Sequence, residues 1–223
     1  MKMTKKDLKL VALLIAISAI YCLIGISLDK HGVSIKLRWL FWNELLAFIP
    51  LVLSMFAAYF LNKRKWWLIL ALPFTIGWLL FLPNSCYMIT DLIHLDSSNL
   101  IGWNGEYLAN IKEWVALIYL AAGIFLAVIA GLSSTKIVAK GLGLKRGNIL
   151  NIIYSIIISG LVGYGVYIGR FLRFNSWDIM EPISLLKALY HDIDKFAIMF
   201  SILIAGFYFV AYIIYERVEE TTK

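Results

Sequence analysis

The sequence predicts an all-α polytopic membrane protein with six transmembrane helices and two short interfacial helices on its outer side. Of its 223 residues, 61% are hydrophobic, whereas soluble domains contain about 45–50% apolar residues. The excess falls in uninterrupted apolar runs close to the length of about 20 helical residues that crosses a bilayer. The runs are Leu8–Ser27, Trp39–Leu61, Trp66–Cys86, Trp114–Val138, Ile149–Gly169 and Phe196–Tyr215. We therefore expect a single transmembrane domain over residues 1–223.

The first apolar run follows the basic segment Met-Lys-Met-Thr-Lys-Lys. It is longer than the core of about 7–15 residues in a signal peptide, and no small-residue cleavage site follows it. We expect it to be retained as the first helix. Pro50 and Pro73 interrupt the second and third runs, and membrane helices tolerate such prolines, often with a kink.

Lysine and arginine predict the orientation. Of the 21 basic residues, 13 fall in the two termini and in the loops around Lys63 and Lys140. Basic residues in short loops beside apolar spans mark the cytoplasmic side. We therefore expect a multi-pass membrane protein with both termini in the cytoplasm. The same clustering explains the net charge of +7 without a nucleic-acid partner.

The two longer outer loops carry apolar residues at helical spacing. One series runs from Leu100 through Trp103 and Tyr107 to Ile111, and the other runs from Ile183 to Ile193 after Glu181-Pro182. Proline is favoured at the first position of a helix. Both loops are therefore predicted to form amphipathic helices in the outer interface.

Polar residues follow the third and fifth runs directly, at the predicted outer face. Asn84, Tyr87, Asp91 and His94 recur at helical spacing and would form one stripe. On a continuing helix, Arg170 and Arg173 share a face at i, i+3. Asn43 and Glu44 lie about one turn inside the second span, while Asn175 and Asp178 follow the arginines. Desolvating such groups is costly, so their convergence on one membrane face predicts a site.

The residue types suggest the chemistry of this site. The arginine fork suits phosphate or carboxylate, and a carboxylate beside an imidazole can move protons. We assign Asp91 and His94 to catalysis. To substrate binding we assign Arg170, Arg173, Asn84, Asn43, Glu44, Asn175 and Asp178. No metal and no cofactor is predicted, and Cys22 and Cys86, which lack metal-ligand spacing, are expected to be free thiols.

Structural explanations compete with each assignment. The arginines can anchor a helix end in the interface, and Asp91 or Asp178 can be their ion-pair partners. Asn84 can cap the helix that follows Pro83. Glu44 is harder to explain in this way, because a carboxylate inside an apolar span needs a partner or water.

Three functions remain open. The leading one is a membrane-embedded enzyme at the outer leaflet that acts on a lipid or lipid-linked substrate by acyl or phosphoryl transfer or hydrolysis. The second is a small transporter or binding module for an anionic solute, which needs polar groups in the cytoplasmic half. We find few there, among them Ser133, Asn151 and Ser155. The third is an assembly or partner subunit that docks a protein at its outer face.

Three blocks of this sequence resemble a family of bacterial six-span membrane proteins known only as a domain of unknown function. They are Arg38–Pro50 (RWLFWNELLAFIP), Phe81–His94 (FLPNSCYMITDLIH) and Tyr167–Asp178 (YIGRFLRFNSWD). The resemblance covers nearly the whole chain. It implies a bacterial plasma-membrane protein and brings no activity with it.

Overall fold

A computed structural model describes residues 4–31, 33, 37–63, 65–94, 100–101, 106–107, 109–174 and 194–221. The described chain contains seven α-helices: α1 Lys5–Lys30, α2 Leu37–Leu61, α3 Leu68–Phe81, α4 Asn84–Tyr87, α5 Ile111–Gly141, α6 Ile149–Tyr167 and α7 Lys195–Thr221. Two 3-10 segments, Lys65–Trp67 and Met88–His94, precede α3 and follow α4, and the π-helical segment Ile168–Leu172 extends α6.

Six helical stretches are long and apolar enough to cross a membrane, which confirms the predicted number. Five of the stretches correspond to α1, α2, α5, α6 with its π-helical extension, and α7. The remaining stretch, Leu68–Ile93, is the third along the chain and combines α3, α4 and most of the following 3-10 segment. Large apolar side chains such as Ile69, Ile202 and Leu203 are exposed on the outside of the bundle. Such a surface suits lipid rather than water.

Local chemistry explains where the helices begin. Thr4 caps α1 in a capping box, in which its hydroxyl accepts from the Asp7 amide and the Asp7 carboxylate accepts from the Thr4 amide. The Asn110 side chain accepts from the Lys112 amide at the start of α5. α3 ends just before Pro83, and a proline there prevents the helix from simply continuing.

Glycine lets two helices approach closely. A Cβ at Gly163 would lie 2.2 Å from the Ser201 carbonyl oxygen, which brings the α6 and α7 backbones together. A Cβ at Gly165 would lie 2.3 Å from Pro83, at the turn after α3. Small residues at such contacts are typical of membrane helix packing. α6 is therefore in close contact with α7 and with the turn at Pro83 shortly before its polar end begins.

The helices cross alternately and give the bundle two ends. The proximal end carries Lys5, Gly141, Ile149 and Thr221, and there Lys140 forms an ion pair with Asp7. The distal end carries Lys30, the Met88–His94 segment, Ile111, Leu172 and Lys195. The residues assigned to the site from the sequence lie towards the distal end wherever the structure describes them.

The loop before α5 differs from the prediction. Ile101 and Tyr107 pair in an isolated antiparallel bridge, so these two positions do not lie on the interfacial helix expected from Leu100 to Ile111. The expected helix from Ile183 to Ile193 lies outside the described residues. The two cysteines are free and buried, as expected.

Candidate functional site

Arg170 is the centre of a polar cluster at the distal end. Its Nη1 lies 3.2 Å from Asp91 Oδ1 and donates to the Tyr87 hydroxyl at 3.3 Å. Its Nη2 donates to the Thr90 carbonyl oxygen at 2.9 Å. The guanidinium carbon also lies 5.5 Å from the centre of the Tyr87 ring, which is a cation–π distance. One arginine of α6 is therefore fixed to α4 and the following 3-10 segment.

Asp91 connects this arginine to a third element. It is only 5% exposed, and its second oxygen accepts a 2.7 Å hydrogen bond from the Asn43 side chain on α2. Charge-assisted hydrogen bonds of this kind are about twice as strong as neutral ones. We call Asn43, Tyr87, Thr90, Asp91 and Arg170 the distal cluster.

The 3-10 geometry places Asp91 within reach of α6. Residues three apart eclipse one another in a 3-10 helix, so positions 88, 91 and 94 share one face of the segment. Met88 is fully buried on that face and Asp91 is nearly so. The Thr90 hydroxyl donates to the Tyr87 carbonyl at 2.6 Å and ties the turn to α4.

An irregular end of α6 presents the arginines. The chain winds as a π-helix over Ile168–Leu172 and ends at Arg173, whose φ of 59° and ψ of 28° are left-handed. Arg173 is the one described non-glycine residue with positive φ. π-Helical turns occur often at functional sites, and a left-handed arginine costs about 1–2 kcal/mol. The geometry turns Arg170 inwards and leaves Arg173 exposed.

Of the ion pairs considered above as structural explanations, the one between Arg170 and Asp91 is present. The expectation that Arg170 and Arg173 share a face is wrong. It assumed a continuing α-helix, whereas the chain passes through a π-helix and leaves it at Arg173. Asn84 donates to the Phe81 carbonyl at 2.9 Å and closes the end of α3.

Glu44 lies apart from the distal cluster. It is fully buried, and its Oε1 accepts a 3.3 Å hydrogen bond from Ser18 of α1. Its neighbour Asn43 contacts Asp91 instead, because adjacent helical residues point in different directions. The structure therefore divides the predicted site into the distal cluster and a separate Glu44 position.

Three assigned residues remain predictions. Asn175 and Asp178 lie outside the described residues, as does the side chain of His94, whose backbone ends the 3-10 segment. Within the described part of the chain, no group of three His, Cys, Asp or Glu residues is placed to hold a metal ion. The Thr90 carbonyl is a member of the cluster that the sequence analysis did not identify, since a backbone acceptor has no signature in residue type.

The proximal half contains more polar contacts than the sequence indicated. Glu216 of α7 is buried and accepts hydrogen bonds from the Asn151 amide at 3.3 and 3.2 Å and from the Tyr212 hydroxyl at 3.1 Å. Two further pairs join hydroxyls of α5 and α7: Thr135 with Tyr208 at 2.7 Å, and Ser133 with Tyr215 at 2.8 Å. We call these seven residues the proximal network. The expectation of few polar groups here is corrected, because tyrosine hydroxyls and Glu216 had not been counted.

These features define a multi-pass membrane protein in which helices with few charges enclose an arginine–aspartate cluster at one end. A family model described as "Protein of unknown function (DUF1361)" matches residues 42–212, so the chain belongs to the DUF1361 family. The matched region begins at Trp42 and includes the whole distal cluster and the proximal network as far as Tyr212, but it ends before Tyr215 and Glu216. The expected membership of an uncharacterised family is confirmed. No curated protein and no solved structure matches the chain.

Proposed function

We propose that this protein binds an anionic lipid or lipid-linked substrate at its distal end and acts on it there, by acyl or phosphoryl transfer or hydrolysis. In this proposal the distal end lies at the outer face of a bacterial plasma membrane, and both termini are cytoplasmic. The bias of lysine and arginine towards the proximal loops supports that orientation.

The observation that carries the proposal is the irregular end of α6. A π-helical turn followed by a left-handed arginine is a costly way to end a helix, and strained backbone of this kind clusters at functional sites. Here it places one guanidinium in the distal cluster and exposes a second one three residues later. Two cations near a membrane boundary suit a phosphate or carboxylate headgroup.

The distal cluster supports a division of roles. Arg170 is held by three oxygen atoms, so it needs little reorganisation to present its charge to a headgroup. Arg173 adds the more accessible charge. Asp91 and His94 are three residues apart in the 3-10 segment, and we assign them the proton transfers, with Asp91 orienting the imidazole. Asn43 keeps the Asp91 carboxylate in place.

Lipid binding tests the first part of the proposal. The protein is purified, exposed to phosphatidylcholine with or without phosphatidylglycerol, and bound lipid is counted by native mass spectrometry. Arg173→Gln should lower the bound phosphatidylglycerol several-fold. Arg146→Gln is the matched control, because Arg146 is also exposed but lies at the proximal end. Equal losses in the two variants would mean that binding is non-specific charge attraction.

Complementation tests the second part. Asp91→Asn and His94→Gln keep the shape of each side chain, so both variants should fold. If these residues transfer protons, activity should fall by about 100-fold or more, and neither variant should complement a deletion strain. Yield and thermal stability are measured in parallel. Full complementation by two well-folded variants would remove the catalytic assignment.

The proximal network favours a second candidate, a transporter for an anionic solute. A carrier needs polar groups in both halves of the membrane for alternating access, and Glu216, Asn151 and the tyrosines supply them in the proximal half. Against this, the network hydroxyls and carboxylate are bonded to one another, as in a contact that simply joins helices. Uptake of radiolabelled phosphate by vesicles containing the protein, above that of empty vesicles, would establish the transporter.

A further inference from the structure

Glu44 is a buried carboxyl group that the proposed function does not use. It lies in α2 and is 0% exposed. The Tyr21 hydroxyl and the Cys22 thiol of α1 are within electrostatic range of it, and so is the Tyr119 hydroxyl of α5. Apolar groups complete these surroundings, since Leu40, Ala47 and Met88 belong to the same buried cluster. The carboxyl group therefore lies where three spans meet, away from water.

Hydrogen bonding around Glu44 is incomplete. Oε1 accepts one bond, from Ser18, while Oε2 has no partner among the described residues. The buried Tyr21 hydroxyl also has none. Buried polar groups are rarely left unpaired, because each one costs about 1–3 kcal/mol. Two such groups on neighbouring helices indicate a site built to hold something.

Glycines make room for the two tyrosine hydroxyls. A Cβ at Gly123 would lie 2.2 Å from the Tyr21 hydroxyl, and a Cβ at Gly25 would lie 2.2 Å from the Tyr119 hydroxyl. The two rings stack with their centres 4.2 Å apart. The Tyr119 hydroxyl donates to the Tyr21 carbonyl oxygen at 3.0 Å and is thereby used. The Tyr21 hydroxyl is fixed by the same packing and has no partner at hydrogen-bonding distance in the described part of the chain.

Charge balance requires a positive partner. Within the described part of the chain, no cationic side chain is among the groups that act on the Glu44 carboxyl group, and Arg170 of the distal cluster is paired with Asp91. A bare carboxylate with one neutral hydrogen bond would cost several kcal/mol in a membrane interior. Such a group either takes up a proton or is neutralised by a bound ion.

We propose that Glu44, with Ser18 and Tyr21, binds one small monovalent cation, either a proton or an alkali metal ion. Carboxylate and hydroxyl oxygens are the hard donors that such cations prefer. Among the residues that the structure describes, the other titratable groups around the site are the Cys22 thiol, the Tyr119 hydroxyl and, through Asn43, the paired Asp91. None of these supplies a positive charge.

Infrared spectroscopy of the purified protein tests the proposal. At neutral pH in choline chloride, the wild type should show the carbonyl stretch of a protonated carboxylic acid, and Glu44→Gln should lack it. Glu216→Gln is the matched control: Glu216 is also buried, at 8% exposed, but it accepts hydrogen bonds from Asn151 and Tyr212, so its removal should leave the band. Raising the pH should abolish the band reversibly.

Alkali ions distinguish the two ligands. If Na⁺ or K⁺ displaces the proton, either ion removes the band and raises the melting temperature of the wild type but not of Glu44→Gln. The apparent Kd then falls about tenfold per pH unit while the proton still dominates, because cation binding releases it. If neither ion has an effect while the band still titrates, the ligand is the proton.

Two results would overturn the proposal. One is an ionised Glu44 whose spectrum and stability do not respond to Na⁺ or K⁺. The other is a band that persists at every pH up to unfolding, which would make Glu44 a fixed structural acid. If Glu44→Gln does not fold, Ser18→Ala takes its place in the experiment. Loss of the Ser18 donor should shift the Glu44 band without removing it. A band that does not move would come from a carboxyl group other than Glu44 and would overturn the proposal.

Discussion

Removal of the Asp91 side chain should strongly destabilise the protein. Asp91→Ala removes the carboxylate that pairs with Arg170 at 3.2 Å and that accepts the hydrogen bond from Asn43. The side chains of Arg170 and Asp91 are only 18% and 7% exposed, so the pair belongs with buried ion pairs. Breaking such a pair from one side costs about 3–5 kcal/mol, against about 0–1 kcal/mol for an exposed pair.

The structure places the expected loss at the lower end of that range. Arg170 keeps the Thr90 carbonyl, the Tyr87 hydroxyl and the Tyr87 ring after the substitution. We therefore expect Asp91→Ala to lower the free energy of unfolding by about 3 kcal/mol. Asp91→Asn keeps one acceptor oxygen for Arg170, and its new NH2 group can donate to Asn43 once the Asn43 amide turns its oxygen towards it. This variant loses the charge assistance and should cost about 1–2 kcal/mol.

A double-mutant cycle in mixed detergent micelles measures the interaction. The purified variants Asp91→Ala, Arg170→Met and the double variant are unfolded by titration with a denaturing detergent. The double variant should lose about 1–3 kcal/mol less stability than the sum of the losses in the single variants. The reason is that it lacks both charges, whereas each single variant leaves one charge without this partner. Asp29→Ala, at an exposed acid of α1, is the control and should stay within about 0.5 kcal/mol of the wild type. The view that this ion pair holds three helices together would be refuted if the losses of unfolding free energy were additive and no larger than that of Asp29→Ala.

Three further predictions concern topology and packing. A single cysteine at Ser98, in a background without the native cysteines, should react with an impermeant reagent in intact cells, whereas one at Arg64 should not; the reverse pattern would invert the orientation. Gly163→Ala should cost about 1–3 kcal/mol in the same unfolding assay, because the added methyl group overpacks against α7. Gly160→Ala lies at a position with open space and should be neutral or stabilising. Equal effects of the two substitutions would contradict the close helix contact. Glu216→Ala should destabilise by at least about 1–3 kcal/mol, because two donors lose their buried acceptor, and a neutral result would show that water enters the proximal network.

The sequence predicted the spans well because run length and apolarity are local properties. The second span was expected to begin at Trp39 and the helix begins at Leu37, with the same end at Leu61. The fifth was expected to end at Gly169, and α6 ends at Tyr167, where the π-helical segment takes over. Both differences are within the usual uncertainty of helix boundaries.

The composition of the site was harder to predict, because it depends on which way each side chain points. Asn43 and Glu44 are neighbours, and only the packing of α2 against its partners decides that one contacts Asp91 and the other contacts Ser18. The left-handed turn at Arg173 has no sequence signature, since such turns favour glycine or asparagine. Tyrosines such as Tyr208, which look apolar in a hydropathy pattern, place their hydroxyls in buried hydrogen bonds.

The length of α5 makes the protein sensitive to membrane thickness. With 31 residues it is about 46 Å long at about 1.5 Å per residue, whereas the hydrocarbon core of a bilayer is about 30 Å thick. A helix that exceeds the core tilts or projects from it, at a cost of fractions of a kcal/mol per Å. α5 contributes Tyr119 beside the stacked Tyr21, so a change in its tilt reaches the neighbourhood of Glu44. Acyl-chain length is thus a physical variable through which lipid composition can act on the interior of this bundle without touching any polar residue.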